Sequence, residues 1–552
     1  MAARDPIATF ATHEVINQVP ALESYNLFER DTALRDALHR EGAGWAEGSV
    51  RDFGAIVGSE RVIALGFAAD RHEPELRTFD RQGRRVDEVD FHPAYHELMA
   101  LALAHGLPSV AWTADRPGGH VVHTALTYLF IQAETGVCCP MAMTYAGVAA
   151  LRNQPDLAAE WEPRLLSRDY DPRAIPAAEK TGATIGMAMT EKQGGSDVRA
   201  NTTRAEAIGA GAFRLTGHKW FCSAPMSDAF LTLAYSEGGL SCFLAPRWCP
   251  DGSRNPILIQ RLKDKLGNRS NASSEIEYDG TWARMVGEEG HGVRTILDMV
   301  HHTRLDTALA PAGMMRQALV QAIHHARHRS AFQRRLIQQP LMTNVLADLA
   351  LECEAATALV MRVARAFDRS AEDEGEHAFA RIAVAIAKYW LNKRVIGHIY
   401  EAMECLGGGG YVEESILPRL YREAPVNSIW EGSGNVICLD VLRALRREPG
   451  TRDALMAEIV AARGGDRRLD AAIDGLEALL ADEAAWEPMA RRLVETMALC
   501  LQGALLTRHA PPAVADGFCA ARLSGDGGGR CYGTLPAGVA IDAIIARSWP
   551  AD

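Results

Sequence analysis

The architecture of this chain follows most directly from residues 421–435, Tyr421-Arg-Glu-Ala-Pro-Val-Asn-Ser-Ile-Trp-Glu-Gly-Ser-Gly-Asn435. Here Glu431 follows a bulky apolar pair and precedes Gly-Ser-Gly, a flexible turn that opens a helix predicted to run through Leu445. Burial raises the pKa of a carboxyl group and a helix N-terminus lowers it, so this position suits a base tuned for proton abstraction. These residues alone leave a second interpretation equally open, in which Glu431 only caps the helix.

Helical periodicity precedes this stretch. Residues 305–328, 341–368 and 376–405 each carry apolar side chains at i, i+3, i+4 and i+7, over lengths that suit bundle helices. The third run ends at residues 407–410, four glycines that supply the left-handed conformation in which helices stop. We therefore expect a helical-bundle domain over residues 291–447.

Three further domains are predicted around this bundle. Residues 1–183 are mostly helical in pattern. Between 184 and 290, short β-rich runs alternate with Gly, Asn, Asp and Pro, which predicts a small antiparallel barrel or sandwich inserted between helical regions. After a boundary near Glu448-Pro449-Gly450, residues 448–552 predict a C-terminal helical domain that contains a looser, glycine-rich stretch at 523–530.

Composition narrows the class of protein. The 552 residues are 48% hydrophobic and 23% charged, as in globular multidomain chains. The net charge of −12 argues against a protein that coats nucleic acid through its overall charge, although it leaves room for a local basic patch. The eleven cysteines show no C-x-x-C spacing, and neither a long apolar run nor a signal peptide is present. We expect a cytoplasmic protein without a metal site or a membrane span.

The glycine-rich runs do not fit the commonest dinucleotide motif. Neither 407–410 nor 432–434 follows a strand in a βαβ unit or has G-x-G-x-x-G spacing, which argues against a Rossmann site. Residues 189–198 suit a ligand better. There Thr190 and Ser196 flank two glycines and can offer hydroxyls and backbone N–H groups to a ring carbonyl or a phosphate. Alone, such a loop is more often an ordinary turn.

A second candidate ring-binding segment is residues 217–223. Trp220 and Phe221 lie near the end of a predicted strand and are followed by the hydroxyl of Ser223. Together they could provide a stacking surface and a hydrogen bond for a planar ring. In isolation, the simpler interpretation is that both aromatic residues belong to the core.

Taken together and in this order, these motifs resemble those of the acyl-CoA dehydrogenase family of flavoproteins, over roughly residues 100–445. The resemblance implies a helix–barrel–helix core, FAD as cofactor, an acyl-CoA-like substrate and Glu431 as the catalytic base. The residues that match the family's cofactor-binding motifs are Met189, Thr190, Gly195, Ser196, Phe221, Cys222, Ser223, Arg329, Phe332, Gly407, Gly408, Trp430, Gly432, Ser433 and Asn435.

Some motifs imply an assembly. Arg329-Ser-Ala-Phe332 is similar to the family's Arg-x-x-Phe element, which reaches the FAD pyrophosphate of a neighbouring subunit. Segments such as Asn17-Gln-Val-Pro20 and residues 201–206, with the extra C-terminal region, are more similar to one bacterial branch of the family, which is made under DNA alkylation stress. That resemblance implies a homotetramer built as a dimer of dimers and double-stranded DNA as a partner. It also places Arg443 on the DNA-facing surface.

Two departures from the family pattern affect the site. The family usually has tryptophan where this chain has Phe221, so stacking on the flavin is expected to be altered but retained. Some members carry the base on an earlier helix, just before an arginine. Here Thr303 precedes Arg304, so that position is empty and Glu431 remains the candidate.

The charge of residues 451–552 does not point to nucleic acid, since ten arginines and no lysine are set against fourteen acidic residues. The arginines nonetheless cluster, and arginine pairs bidentately with phosphate. A solvated helix face is the simpler interpretation of the clusters, Arg463, Arg467 and Arg468, then Arg491 and Arg492. Two functions therefore remain open. One is a DNA-associated flavoprotein that retains weak, isovaleryl-CoA-type dehydrogenase chemistry, and the other is a metabolic dehydrogenase of a short or branched acyl thioester without a DNA role.

Overall fold

The computed structural model describes residues 6–448, 450–524 and 531–550. Most of these residues are helical, and a closed sheet lies in sequence between two groups of helices. The mainly helical fold with an inserted β domain and an extra C-terminal helical region is confirmed. The predicted domain boundaries stay predictions.

The N-terminal region is built around one fully buried helix. Its elements are α1 (Thr32–Arg40), α2 (Glu47–Val57), α3 (Glu60–Arg71), β1 (Glu75–Phe79), β2 (Arg85–Asp90), α4 (Pro93–Ala104), α5 (Val110–Thr113), α6 (Gly119–Ile131), α7 (Cys138–Leu151) and α8 (Pro155–Leu165). Every residue of α6 is buried, as expected of a helix without a polar face. The β1–β2 hairpin was not predicted, because its charged residues hide the alternation of a strand.

The β domain closes into a small barrel. Its strands are β3 (Ile185–Ala188), β4 (Arg204–Gly209), β5 (Ala212–Ser223), β6 (Ala229–Ser236), β7 (Gly239–Pro246), β8 (Ile257–Leu262) and β9 (Ser273–Val286). Strands β6, β4, β5, β9 and β7 pair in a ring, because β7 also pairs with β6. The barrel is not wholly antiparallel, since β3 and β4 both run parallel to β6. The connections between these strands are long enough to allow parallel pairing.

The helical bundle contains the three long helices that the sequence predicts. Its elements are α9 (Gly292–His328), β10 (Ser330–Ala331), β11 (Arg334–Arg335), α10 (Pro340–Arg369), α11 (Glu374–Cys405), α12 (Gly408–Tyr411), α13 (Ile416–Glu423) and α14 (Gly434–Arg447). Pro311 lies inside α9 and has no N–H for the carbonyl of Thr307. Asn392 on α11 donates to that carbonyl at 2.9 Å, so the freed acceptor is satisfied and the helix continues.

The C-terminal region packs on the bundle. Its helices are α15 (Gly450–Val460), α16 (Arg467–Ala481), α17 (Ala490–His509), α18 (Pro512–Phe518) and α19 (Ile541–Ser548). Buried Arg522 pairs with Asp348 and Glu352 of α10, which fixes the region to the bundle. Pro449 of the predicted boundary and residues 525–530 of the predicted glycine-rich stretch lie outside the described residues. No helix in the described ranges is long and apolar enough to span a membrane.

Candidate active site

A cavity of about 620 Å³ opens between the barrel, α9 and the turn that precedes α14. Its volume falls in the range of small-molecule sites, roughly 300–1,000 Å³. Eleven of the predicted site residues line it, which brings the barrel loops and the Glu431 turn together. They are Met189, Thr190, Gly195, Ser196, Phe221, Ser223, Trp430, Glu431, Gly432, Ser433 and Arg443.

The turn that carries Glu431 is strained and held by two buried cations. Glu431 has φ of 59°, a left-handed conformation that is costly for a residue with a Cβ. Lys388 of α11 donates to the carbonyl of Trp430 at 2.9 Å and to that of Gly432. Arg304 of α9 donates to the carbonyl of Glu431 at 3.2 Å. Three successive carbonyls are thus fixed by buried side chains.

The carboxylate of Glu431 faces the cavity and does not cap α14. The hydroxyl of Thr303 donates to its Oε2 at 2.8 Å. The capping position of α14 is Ser433, whose side chain makes no capping hydrogen bond. Burial raises the pKa of the Glu431 carboxyl, while the bond from Thr303 and the charges of Arg304 and Lys388 oppose that rise. The group is therefore a base that stays partly protonated to higher pH than an ordinary glutamate.

The cations that hold the turn have different electrostatic surroundings. Burial lowers the pKa of Lys388 to about 7, although nearby Glu431 opposes the change. Arg304 donates to Asp440 at 2.8 Å, and Arg381 binds the same carboxylate at 3.1 Å. Asp440 is thus shared by two guanidinium groups, and both Arg304 and Lys388 favour the ionised form of Glu431.

The barrel loop at residues 189–198, on the opposite wall of the cavity, is held in place by a buried ion pair. Glu191 pairs with Lys219 at 2.9 Å, and both side chains are fully buried. Burial alone would raise the pKa of Glu191, but Lys219 and the neighbouring threonine donors hold it at about 2. Residues on either side of this anchor, Met189 and Thr190 before it and Gly195 and Ser196 after it, line the cavity. A side chain at Gly195 would lie only 3.1 Å from Thr190, so glycine lets the loop fold against that residue.

Phe221 faces the cavity, so its interpretation as a core residue is wrong. Its side chain is 51% exposed, and Lys263 lies 4.6 Å from its ring centroid and 3.4 Å from that of Trp220. The alternation of side chains along β5 turns Cys222 into the barrel core instead. Phe221 is therefore free to stack on a planar ligand.

Family comparisons agree with this geometry. The chain matches the model "Adaptive response protein AidB N-terminal domain" at residues 17–172, and the acyl-CoA dehydrogenase middle and C-terminal domain models at 186–281 and 290–446. It is 47% identical to AidB of Escherichia coli (strain K12), over 94% of this chain and 96% of that protein. The chain belongs to the acyl-CoA dehydrogenase family.

Two solved structures of acyl-CoA dehydrogenase family proteins extend the match. Caenorhabditis elegans ACDH-11 in complex with C11-CoA aligns with a TM-score of 0.84 at 27% identity, over 99% of this chain and 95% of that one. An acyl-CoA dehydrogenase of Bacillus anthracis complexed with FAD shares the fold, with a TM-score of 0.61 at 17% identity over 77% and 80% of the two chains.

FAD is the cofactor of this acyl-CoA dehydrogenase, and the cavity suits it. Thr190, Ser196 and Ser223 line the cavity and can offer hydroxyls to a flavin ring, and the ring of Phe221 adds a flat apolar surface. In the described part of the chain, no group of three His, Cys, Asp or Glu side chains is arranged to hold a metal ion.

The remaining residues of the family's flavin motifs lie outside the cavity in this chain. Arg329 and Phe332 belong to the β10–β11 hairpin, and the side chain of Phe332 is 92% exposed. Gly407 and Gly408 are exposed at the end of α11, and a Cβ on either would meet no atom within 4 Å. Asn435 accepts a hydrogen bond from Arg491 at 2.8 Å. Their predicted roles stay predictions.

Sequence reasoning missed the groups that position Glu431. Lys388 lies within the apolar run Val384-Ala-Ile-Ala-Lys388, and a lone cation on a buried helix face was the available signal. The sequence marks Thr303 only as an empty position for the base, whereas its hydroxyl contacts the carboxylate. That contact joins residues 128 positions apart, so no local pattern could predict it.

Proposed function

We propose that this protein uses FAD to oxidise the Cα–Cβ bond of an acyl thioester, with Glu431 as the base. The observation that carries the proposal is the Glu431 carboxylate, which faces the cavity from a turn fixed by Lys388 and Arg304. Such pre-organisation is typical of catalytic groups.

The residues of the site suit removal of a weakly acidic proton. Glu431 would take the α-proton of the thioester onto its carboxylate, and its raised pKa makes it a stronger base than an ordinary glutamate. Bound FAD supplies the acceptor for the hydride that leaves the β-carbon. Trp430 and Val300 line the same cavity and help to exclude water from the reacting atoms.

Glu431→Gln tests the assignment. The amide keeps the shape of the side chain but cannot accept the proton, so we expect FAD retention with flavin bleaching by an acyl-CoA panel slowed by about 10²- to 10⁴-fold. Glu404→Gln, at an exposed position on α11, is the matched control and should bleach at the wild-type rate. Equal bleaching by Glu431→Gln and wild-type protein would remove Glu431 from the reaction.

We further propose that the protein binds double-stranded DNA, as part of a response to alkylation, and that its dehydrogenase activity is weak. The similarity to AidB and to the adaptive-response domain model supports this role. A basic surface at α14 and the start of α17 supports it physically. Its exposed arginines are Arg443, Arg446, Arg447, Arg491 and Arg492. The α14–α17 basic surface adjoins the rim of the cavity, where Arg443 lies.

The other arginine cluster is a weaker candidate for DNA. Arg463 pairs with Asp474 at 2.7 Å and also with Glu477, and Arg468 pairs with Asp516. These carboxylates neutralise the guanidinium groups within the domain. Arg491 instead bonds the uncharged amide of Asn435, so its charge stays available to phosphate.

A salt series separates the two functions. If the α14–α17 basic surface contacts phosphates, affinity for duplex DNA will fall steeply with salt, and the double variant Arg491→Glu/Arg492→Glu will bind weakly with a shallower slope. Arg463→Glu is the control and should retain the wild-type slope. DNA binding that is absent or insensitive to salt, together with rapid bleaching by acyl-CoA, would favour the metabolic dehydrogenase without a DNA role.

We also propose a homotetramer, built as a dimer of dimers, in the cytoplasm. Exposed Phe332, Leu341 and Tyr411 support an interface, with side chains 92%, 85% and 78% exposed. An Arg-x-x-Phe hairpin that lies outside its own cavity can reach a neighbour's flavin only in such an assembly.

A further inference from the structure

The wall of the cavity formed by α6 and α9 contains two buried oxygen atoms without partners among the described residues. Asp306 of α9 and Thr127 of α6 both line the cavity, and they are 6% and 4% exposed. Neither Oδ2 of Asp306 nor the hydroxyl of Thr127 has a hydrogen-bond partner among the described residues. A buried polar atom without a partner is costly, so these two atoms indicate a polar ligand group.

Asp306 already shares a proton with a buried histidine. Nε2 of His123 lies 2.8 Å from Oδ1 of Asp306, and Nδ1 lies 2.6 Å from the carbonyl of Leu107. A carbonyl only accepts, so Nδ1 carries a hydrogen, and one more proton lies between Nε2 and the carboxyl group. His123 thus holds Asp306 in place through Oδ1 and leaves Oδ2 without a hydrogen-bond partner among the described residues.

The packing of α6 against α9 determines where Asp306 and Thr127 lie along the cavity. His123 is level with Asp306, and Gly313 lies against Ile131, so the two helices run side by side in the same direction. Asp306 is three residues beyond Thr303, or about 4.5 Å along the helix axis. Thr127 is one turn beyond His123 on the same face of α6. The base, Asp306 and Thr127 therefore follow one another into the cavity.

We infer that the acyl group accepted by this site carries a hydroxyl about four carbon–carbon bonds beyond the α-carbon, a length that matches the rise of about 4.5 Å from Thr303 to Asp306. This hydroxyl would bind between Asp306 and Thr127. The inference rests on the proposed dehydrogenation and names the substrate class for it. A hydroxyl donates to Oδ2 of Asp306 and accepts from the hydroxyl of Thr127, so one group satisfies both buried atoms. Asp306 and Thr127 then set specificity, whereas Glu431 takes the proton.

Acyl chains that end in other groups leave the two buried oxygen atoms less well hydrogen-bonded. A plain alkyl chain leaves both oxygens desolvated and unpaired. A terminal carboxylate brings acceptor oxygens against Oδ2 of Asp306 without a proton between them, and its charge is buried beside another carboxylate. This part of the cavity wall therefore discriminates by hydrogen bonding, although Ala310 and Met314, further along α9, are apolar.

Three thioesters of matched length test the inference, namely heptanoyl-CoA, 6-hydroxyhexanoyl-CoA and adipoyl-CoA. Binding to FAD-loaded Glu431→Gln protein is followed by the change in flavin absorbance, so no turnover is needed. We expect 6-hydroxyhexanoyl-CoA to bind roughly tenfold more tightly than heptanoyl-CoA, as for a buried acceptor that gains its partner. Adipoyl-CoA should bind most weakly.

A variant of Asp306 shows whether this residue is responsible for the preference for the hydroxylated thioester. Glu431→Gln/Asp306→Ala should bind heptanoyl-CoA as well as or better than the hydroxylated thioester, because the carboxylate that accepts from the hydroxyl is removed. Each comparison is made within one protein, so a general loss of stability does not alter the ratio.

The outcomes separate this inference from the proposed function. Equal binding of heptanoyl-CoA and 6-hydroxyhexanoyl-CoA, or a preference unchanged in the Asp306→Ala background, would overturn the inference even if wild-type flavin bleaches. Preferential binding of the hydroxylated thioester without bleaching by any thioester in wild-type protein would support the inference and contradict dehydrogenation.

Discussion

Two turns of this molecule share an unusual backbone conformation but differ in surroundings. Glu431 has φ of 59°, while Phe332 and Gln333 have φ of 49° and 64°. Around Glu431, buried Lys388 and Arg304 fix the carbonyls of the turn. Phe332 and Gln333 instead form the exposed tip of the β10–β11 hairpin. One turn is supported by its own chain, and the other projects from it.

The difference indicates where each flavin motif acts. Positive φ at both central residues is the requirement of a type I′ hairpin, which normally selects Asn-Gly. Phenylalanine at the first of these positions adds strain, and the residues that the structure describes leave 92% of its surface uncovered. The cavity half of the site lies within one chain, whereas the exposed Arg329–Phe332 half suits the proposed contact with a second copy.

Among the variants that test the comparison of these two turns, Phe332→Gly should have the largest effect, because it changes the assembly itself. If the ring contacts a neighbour and its FAD, its loss removes an interface anchor of about 2 kcal/mol, or roughly thirtyfold in binding, although glycine relaxes the turn. We expect a smaller species in sedimentation and weaker flavin retention. Gln333→Gly is the control, because it relaxes the same turn and keeps the ring, and it should stabilise the protein by about 0.5–1 kcal/mol. A tetramer with full flavin in Phe332→Gly would show that the ring has no partner.

What can be predicted from the sequence alone also differs between these two turns. The three long helices, the β insertion and the cavity residues of the barrel could be predicted, because periodicity and short motifs are local properties. Cys222 shows the limit, since the register of β5 turns it into the core next to cavity-facing Phe221. The supports of Glu431 could not be predicted either, because Lys388 and Thr303 reach it from two other helices.

Lys388→Met should give the next largest effect. Methionine fills the buried space but leaves the carbonyls of Trp430 and Gly432 without their donor, so the strained turn relaxes. We expect FAD to be retained and bleaching to slow by roughly 10- to 100-fold, the effect of a base displaced by about 1 Å. The acid limit of bleaching should also move to higher pH, because Lys388 no longer opposes the rise in the pKa of Glu431.

Lys393→Met is the matched control for this variant. Lys393 lies on the same helix and donates to the hydroxyl of Ser428 at 3.0 Å, without contacting the carbonyls of the Glu431 turn. Its loss should leave both the rate and the acid limit unchanged, whereas Lys388→Arg should recover part of the rate. A Lys388→Met protein with wild-type bleaching would show that Arg304 alone holds the turn.

The smallest effect is expected from Thr303→Val, which tests the pKa of the supported carboxylate. Glu431 acts only when ionised, so bleaching is lost as the pH falls through its pKa, and burial places that pKa above the ordinary value of about 4.3. Valine keeps the shape of threonine but removes the hydrogen bond that lowers the pKa. Loss of a bond worth about 1 kcal/mol should therefore move the acid limit upward by roughly 0.5–1 pH unit. Thr307→Val is the control, since that hydroxyl donates to the carbonyl of Arg304 and not to the carboxylate. A shift to lower pH, or an equal shift in both variants, would mean that the Thr303 hydroxyl does not stabilise the ionised base.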